Sequence, residues 1–594
     1  MKIVSKHPLV FAVSLMATVA AGWGCKDFLE KASEPLGTLD QTTLLNKAGV
    51  EGSLLSAYRI LDCTSQFQPN WGCAVSNWVW GSVTSDEAYK GSEATDQPNI
   101  DDIELYQWST GKSEDYLNAK WQGVYEGVSR ANATIRLMKQ VQKDKPGEIS
   151  DEDAKGIEGE ATFLRAHYHF EAWRMWGNIP YYREDDSTFK KPNLQSDAVV
   201  TEIMKDLDAA IGLLGTGPRN GQKGRADQWT AKAYKGRLQV YSGKFADALT
   251  TLGEVQTAGP YALETSFDKV WTGYSDESNG KETIFAYQAS ANDGETNGNN
   301  ANYGERLNFP HSGSPFGCCG FHQPSQNLVN YFRVDAAGLP LALSDAAWNA
   351  NSANFTSTNL APVDPRLDWT VGRDGVPYKD WGKHAPGWIR APAYGGTYSP
   401  KKNAHEKTSG AESSVGWVPT QLNSVNIHIF RYADLLLLLA EAEVEAGSPA
   451  NAITIVNQIR QRAGVTAQGP GVDAAGAANR ALIAVPINDP SITWATYRIG
   501  QYPAGLTQAQ AREAVRAERH LELAMEGQRF FDLRRWGIAD QTLNDYIAVE
   551  KTRRAQLAGA DVFSAKHKYY PIPAIQIELS KANGANTLVQ NPGW

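Results

Sequence analysis

Residues 431–464 read RYADLLLLLAEAEVEAGSPANAITIVNQIRQRAG, and this stretch decides the fold. The run over residues 435–439 is apolar throughout, which is typical of a helix that is buried almost all round. Gly447 ends that helix, Ser448 is suited to cap the next one, and Pro449 fits its first turn. The second helix carries apolar residues at helical spacing. The stretch therefore predicts two antiparallel helices joined by a very short turn.

The same pattern recurs elsewhere in the chain. Apolar residues at spacings of three, four and seven predict a helix over residues 153–176, and a helix over residues 228–242 resumes over residues 245–255. The hairpin at residues 431–464 spans about 34 residues, the period of tetratricopeptide repeats. A long helix is predicted over residues 508–536. Together these segments predict a mainly α fold with a scaffold of tetratricopeptide-like hairpins.

Residues 265–425 are of a different kind. They are rich in Gly, Asn, Ser and Pro and have few aliphatic stripes, yet they contain several tryptophans. Such a long loop without structure is uncommon in a compact domain, so we interpret the region as an irregular α+β ligand-binding subdomain inserted into the scaffold. The predicted organisation is a helical region over residues 41–264 with an early binding loop at 62–82, the insertion over 265–425, and a C-terminal helical region over 426–594.

The beginning of the chain has the order of an export signal. A basic start precedes an apolar run over residues 8–21, small residues follow, and Cys25 comes next. The run is short for a ~30 Å hydrocarbon core. We therefore predict a cleaved signal over residues 1–24, lipid attachment at Cys25 and a tether over residues 25–40. The alternative is a plain cleaved signal in which Cys25 is incidental.

Four groups of motifs, in chain order, resemble the RagB/SusD family. They are EATFLRAHYHF at 160–170 with WGNIP at 176–180, RYADLL at 431–436 with NQIR at 457–460, ERHLELA at 518–524 with EGQRFFDLRRW at 526–536, and YPIP at 570–573 with QNPGW at 590–594. The groups extend over nearly the full chain behind the export signal. The resemblance implies a scaffold of about four tetratricopeptide-like hairpins that carries an irregular ligand-binding subdomain.

The resemblance also implies a function. It implies non-catalytic binding of an oligosaccharide or polysaccharide nutrient by a lipid-anchored protein of the outer membrane, exposed at the cell surface. The partner implied is a TonB-dependent outer-membrane transporter of the SusC type. Some family members are associated with peptides, so capture of oligopeptides or another nutrient on the same scaffold is the alternative. A helical-repeat adaptor without a small ligand is a third class.

Charged residues of the shared motifs lie on helices among apolar residues. We interpret them as structural ion pairs and caps, because a buried charge needs a partner. They are Glu160, Arg165, Glu518, Arg529, Asp532 and Arg534. The net charge of −9 argues against a nucleic-acid partner.

Catalysis and metal binding have little support in the sequence. Asp364, Asp368, Asp374 and Asp380 lie in the irregular region, but their spacing does not distinguish a catalytic pair from ordinary turn acids. We find no zinc or phosphate-binding motif. The sequence therefore predicts no enzyme and no cofactor, and it leaves the binding of a structural calcium ion open.

Aromatic and polar residues in the irregular segments are the candidates for ligand binding. Sugars present apolar C–H faces ringed by hydroxyls, so a glycan site needs flat aromatic side chains and directional polar groups. The predicted ligand-binding residues are Trp71, Asn77, Trp78, Tyr303, Arg306, Trp381, Trp388, Arg390 and Tyr394. On a strand, Trp78 and Trp80 would share one face. The opposite interpretation is that each tryptophan fills the core of its subdomain.

Four cysteines follow Cys25, and an exported protein meets an oxidising compartment. We hypothesise that Cys63 and Cys73 form a disulfide that pins the early loop. Cys318 and Cys319 are adjacent. Because a bond between neighbouring cysteines closes a strained ring, we expect two small buried thiols there.

Overall fold

The structure is a computed structural model that describes residues 41–62, 70–355, 361–416, 418–465, 471–472, 478–479, 492 and 494–594. The predicted signal, Cys25 and the tether lie outside these residues. The main helices are α1 (Lys47–Arg59), α2 (Glu114–Asp144), α3 (Asp151–Trp176), α4 (Ser196–Leu213), α5 (Gln228–Tyr241), α6 (Phe245–Ala258), α7 (Tyr432–Ala446), α8 (Pro449–Val465), α9 (Gln508–Glu522), α10 (Arg529–Arg535) and α11 (Ala539–Glu550). The strands are β1 (Ala88–Gly91), β2 (Thr283–Tyr287), β3 (Phe321–Pro324), β4 (Val371–Gly372), β5 (Ser399–Pro400) and β6 (Ile427–Arg431).

The helices form a scaffold in which neighbours in sequence are neighbours in space. Helix α1 packs on α2, each helix from α2 to α6 packs on the one before it, and α7 packs on both α8 and α9. Helix α6 packs on α7 although the irregular region separates them in sequence. The predicted hairpin at residues 431–464 is confirmed as α7 and α8, and the helical-hairpin scaffold with it. No described helix is both long and apolar enough to cross a membrane.

The irregular region leaves the scaffold and returns to it at one place. Strands β2 and β6 pair antiparallel, with Thr283 opposite Arg431 and Tyr287 opposite Ile427. The residues between them form short helical turns and very short strands. Strand β3 of this region pairs with β1 of the early region. The chain between β2 and β6 is thus an insertion held at its base, and the predicted limits of the subdomain stay a prediction.

Buried ion pairs join the insertion to helix α9. The guanidinium of Arg366 contacts Asp364 at 2.7 Å, Glu518 at 2.6 Å and Glu522 at 2.9 Å, and all four side chains are fully buried. Arg431, at the end of β6, also contacts Glu522 at 2.8 Å. Charges removed from water need such partners, so the network fixes how the insertion sits on the scaffold.

The structural interpretation of the motif charges is confirmed. Five of the six form ion pairs with buried or partly buried partners: Glu160 pairs with Arg219, Arg165 with Asp206, Glu518 with Arg460, Arg529 with Asp86, and Asp532 with Arg519. Arg534 instead donates to the carbonyl oxygen of Lys568 at 2.6 Å.

The prediction of one continuous helix over residues 508–536 is wrong in its middle. Helix α9 ends at Glu522 and α10 begins at Arg529. Gly527 has φ of +68°, and a Cβ atom there would overlap the carbonyl oxygen of Ser76, while a Cβ atom at Gly81 would overlap the carbonyl oxygen of Gly527. Only glycine fits where two backbones touch this closely. The break therefore seats the early loop directly against the C-terminal region.

Candidate functional site

The early loop is joined to residues 303–306 by the carboxylate of Asp62. Its two oxygens accept hydrogen bonds from the backbone nitrogens of Val75 at 3.1 Å and Gly304 at 2.9 Å. Burial raises the pKa of this carboxyl, which these two hydrogen bonds partly oppose. Asp62 thus holds two segments together that are more than two hundred residues apart in sequence.

Three predicted residues meet at this junction. The guanidinium carbon of Arg306 lies 4.1 Å from the ring centre of Tyr303 and 4.9 Å from the ring centre of Trp71. Trp71 and Arg306 are half-buried, and Tyr303 is buried except for an edge. The Trp71 ring nitrogen donates to the side-chain oxygen of Gln97 at 3.0 Å. A guanidinium near aromatic rings is a stabilising arrangement, and here it forms a partly exposed surface that combines apolar rings with N–H donors.

Glu305 directly precedes Arg306 in the sequence. It is buried, and it accepts hydrogen bonds from the hydroxyl of Ser76 and from the side-chain amides of Asn308 at 2.9 Å and Asn403 at 3.4 Å. Burial raises the pKa of Glu305 to about 7. The carboxyl ties the early loop to both ends of the insertion.

Asn77 and Trp78, two further predicted residues, lie below the surface. Residues Trp78–Val83 form a π-helical turn, so the expectation that Trp78 and Trp80 share one face of a strand is wrong. The backbone contact between Gly81 and Gly527 holds this segment coiled rather than extended. Trp78 is fully buried and donates to the carbonyl oxygen of Gly304 at 3.2 Å, and the amide of buried Asn77 donates to Glu171 at 3.0 Å. Both residues support the surface from underneath.

Trp381 and Trp388 belong to a separate aromatic cluster in the insertion. Trp388 is 7% exposed and packs near Tyr378, with 5.7 Å between ring centres. Trp381 is half-buried, packs on Phe316 at 4.7 Å and donates to the carbonyl oxygen of His405 at 2.8 Å. This cluster fills the interior of the insertion, and only Trp381 keeps a partly exposed ring.

Arg390 and Tyr394 bind to the early region rather than to the aromatic surface. Arg390 contacts Asp96 at 2.9 Å and also forms an ion pair with Glu93. Tyr394 donates its hydroxyl to Asp101, and the ammonium of Lys90 lies 4.9 Å from its ring centre. Arg390 is nevertheless adjacent to the surface, because its partner Asp96 immediately precedes Gln97, which accepts from Trp71. Gln97 is a candidate site residue that sequence reasoning missed.

The expectation of two free thiols at Cys318 and Cys319 is wrong. The two residues form a disulfide across a cis peptide bond. The flanking residues Gly317 and Gly320 both have φ near +80° (85° and 80°), a conformation that glycine adopts without a steric penalty and that lets the chain turn tightly there. The predicted bond between Cys63 and Cys73 stays a prediction, because Cys63 lies outside the described residues.

The described structure also contains cavities away from this surface. One of about 310 Å³ is lined by residues of α2, of the C-terminal segment and of the connection between α3 and α4, including Tyr182 and Phe189. Two polar side chains of this lining bond within the protein: the Asn132 amide donates to the carbonyl oxygen of Tyr182, and the Tyr182 hydroxyl donates to that of Phe189. Among the described residues, no group of three or more His, Cys, Asp or Glu side chains is arranged to hold a metal ion.

The fold is a stack of helical hairpins that carries an irregular insertion with a partly exposed aromatic surface. This architecture is that of a binding protein built on a helical-repeat scaffold. The sequence profile of the SusD family matches residues 281–594, and a profile described as starch-binding associating with outer membrane matches residues 65–240. The chain belongs to the SusD family.

Relatives and solved structures agree over most of the chain. A SusD-like protein of Formosa agariphila is 26% identical over 493 residues, 80% of this chain and 82% of the relative. The fold is similar to that of a laminarin-binding SusD-like protein (TM-score 0.64, 22% identity, 92% of this chain and 100% of the other). It is also similar to the surface glycan-binding protein A of Bacteroides thetaiotaomicron, solved in complex with laminarihexaose (TM-score 0.60, 19% identity, 92% and 99%).

Proposed function

We propose that this protein binds an oligosaccharide or polysaccharide nutrient at the cell surface and delivers it to a TonB-dependent transporter of the SusC type. The observation that carries the proposal is the surface of Trp71, Tyr303 and Arg306, which two segments far apart in sequence assemble and which is partly exposed. Membership of the SusD family and the glycan ligands of two similar proteins support it.

The chemistry of the surface suits a sugar chain. A pyranose ring stacks its C–H face on an indole or phenol ring, and the fixed aromatic rings lose little conformational entropy on binding. The N–H groups of Arg306 and the side chain of Gln97 supply directional hydrogen bonds for hydroxyls. An open surface rather than a closed pocket also leaves room for a chain that continues in both directions.

We propose a binding protein without catalytic activity. Two of the four candidate aspartates are bound by arginines, Asp364 by Arg366 at 2.7 Å and Asp368 by Arg373 at 2.6 Å. Asp374 contacts His384 at 2.8 Å, and Asp380 accepts from the hydroxyl of Thr408 at 2.7 Å. A glycosidase needs two carboxyl groups that face one glycosidic bond, whereas these acids serve to fold the insertion.

Anchoring and delivery complete the proposal. Lipidation at Cys25 would attach the protein to the outer membrane, and residues 25–40 would tether the body near the transporter mouth. Association with a SusC-type partner is tested by co-purification. The tagged full-length protein, extracted from outer membranes in detergent, is expected to carry a TonB-dependent transporter that mass spectrometry identifies.

Affinity electrophoresis tests glycan binding itself. The soluble protein is run through gels that contain laminarin, starch, xylan, pectin or galactomannan, with Trp71→Ala as the matched variant. At least one polysaccharide should retard the wild type and retard the variant less. If no polysaccharide retards the protein and calorimetry finds binding to oligopeptides, peptide capture replaces the proposal. Release of reducing ends by the pure protein would overturn the non-catalytic assignment.

A further inference from the structure

The disulfide between Cys318 and Cys319 lies at the boundary between core and solvent. Cys319 is 2% exposed and belongs to the large apolar core, whereas Cys318 is half-buried and packs against that core. One side of the disulfide therefore contacts the interior, and its other side borders the surface of the protein.

Gly320, which follows the disulfide, connects it to Arg390 through Ser92. The carbonyl oxygen of Gly320 accepts from the backbone nitrogen of Ser92 at 2.5 Å, and the hydroxyl of Ser92 accepts from Arg390 at 3.1 Å. A Cβ atom at Gly320 would lie 3.7 Å from the side chain of His311. The turn thus lies near His311 and Ser92, and through Ser92 near Arg390. Arg390 also contacts Asp96, the residue before Gln97.

The other flank leads to Tyr303. The amide of Gln421 lies 3.7 Å from the sulfur of Cys319. Two residues further on, the backbone of Asn423 donates to the side chain of Asn302 at 2.7 Å, and Asn302 directly precedes Tyr303. The segment that contacts the disulfide through Gln421 therefore also contacts, through Asn423, the residue that precedes Tyr303.

A second connection agrees with this position. The backbone nitrogen of Phe321 donates to the carbonyl oxygen of Leu307 at 3.1 Å, and that of Gly320 donates to the carbonyl oxygen of Phe309 at 2.8 Å. The segment that begins at Arg306 therefore runs beside the segment that carries the disulfide. These two bonds link the segment that follows Arg306 to the turn that carries the disulfide.

A disulfide has distinctive properties as a ligand contact. It has no hydrogen-bond donor, its sulfur atoms are weak acceptors, and they are polarizable and pack well against apolar groups. A ligand hydroxyl that contacts the disulfide therefore gains no strong hydrogen bond from it. The closed ring of two neighbouring residues also offers a fixed surface without the rotamer freedom of a long side chain.

We propose that the Cys318–Cys319 disulfide is a sugar-binding subsite that supports the C–H face of a pyranose next to the ring stacked on Trp71. The inference rests on the proposed glycan-binding function and narrows its ligand class. A ring whose hydroxyls are all equatorial, as in a β-glucan, presents C–H bonds on both faces. An axial hydroxyl would point into a surface that cannot bond it, which disfavours such sugars.

Calorimetry with two hexasaccharides tests the subsite. The probes are laminarihexaose and mannohexaose, whose 2-hydroxyl is axial, and the variant is the double substitution Cys318→Ser and Cys319→Ser. Wild type should bind laminarihexaose at least tenfold more tightly than mannohexaose, and the variant should lose about tenfold in laminarihexaose affinity. Ser312→Ala, in the exposed part of the same loop, is the control and should bind as wild type does. Unchanged affinity in the double variant overturns the subsite.

A crystal structure of the wild type with laminarihexaose covers the case in which the double variant does not fold. Ring carbons within about 4 Å of the two sulfur atoms support the proposal, and a ligand that leaves them uncovered overturns it. Wild type that does not bind laminarihexaose but binds galactomannan, whose rings carry axial hydroxyls, overturns the equatorial preference and leaves glycan binding intact. If the wild type binds no glycan, both the subsite and the proposed glycan-binding function are overturned.

Discussion

Replacing Glu305 by glutamine should change the pH dependence of stability in a defined direction. The pKa of the buried carboxyl is about 7, because burial raises it from its ordinary value of 4.5. The folded protein thus holds the proton more tightly than the unfolded chain does. The stability that the carboxyl contributes is fully present below pH 4.5, falls as the pH rises, and is lost above pH 7.

The size of the effect follows from the shift in pKa. A difference of roughly 2.5 units corresponds to about 3 kcal/mol between pH 4.5 and pH 8. Glutamine keeps the shape and stays neutral, its oxygen can accept from Asn308 and its amide can donate to Ser76. The variant should therefore be as stable as wild type near pH 5 and more stable at pH 8. For a chain of this length, about 3 kcal/mol corresponds to a rise in Tm of roughly 3 °C.

Differential scanning calorimetry of both proteins from pH 5 to pH 8 measures the effect. Two other buried carboxyls, Glu87 and Glu104, also have pKa values raised to about 8 by burial, so the quantity to compare is the difference in Tm between variant and wild type. Glu578→Gln, at an exposed position, is the control and should give no pH-dependent difference. An equal Tm difference for Glu305→Gln at pH 5 and pH 8 would refute the reasoning.

The other predictions concern the surface, the core and the anchor. Trp71→Ala should weaken polysaccharide binding about tenfold, for the loss of roughly 1.5 kcal/mol of stacking on a half-buried ring, with a small decrease in Tm because the ring also contacts the core, Arg306 and Gln97. Buried Trp388→Ala should lower Tm more, by several degrees, and calorimetry of both proteins checks the contrast. Arg366→Met leaves its three carboxylates short of a counter-charge and should cost about 3–5 kcal/mol, so an unchanged melting curve would contradict the assigned network. Cys25→Ala should release the protein from the membrane fraction, and retention of the variant would show that a protein partner holds it.

The helical scaffold was largely predictable, since local patterns specify it. The run of residues 435–439, closed by Gly447 and restarted at Pro449, identifies a hairpin without any knowledge of distant contacts. The interruption between α9 and α10 was not predictable in this way. It depends on Gly527 meeting the loop around Ser76, several hundred residues earlier in the chain, and helical periodicity carries no information about such a partner.

The candidate site was predictable in its residue types more than in its geometry. Trp71, Tyr303 and Arg306 come together as a group, but their sequence separation gives no sign of it. Trp388 resembled them in its Gly- and Pro-rich setting, and it is nevertheless a core residue. The Gly-Cys-Cys-Gly run stood out in the sequence, yet whether its sulfurs join depends on a backbone conformation that composition does not reveal.

The pairing of β2 with β6 has a consequence for how this protein can diversify. Because both ends of the insertion meet in one ladder, changes in its length alter the closed loop but not the path of the surrounding helices, and loop closure costs only about 0.6 kcal/mol for each doubling of length. Evolution can therefore lengthen, shorten or rewrite parts of this segment while the helices are inherited unchanged, as long as Asp364 and Arg366 keep the buried network with α9. Exchanging residues 288–426 between relatives is the corresponding route for an engineer who wishes to change the ligand and keep the frame.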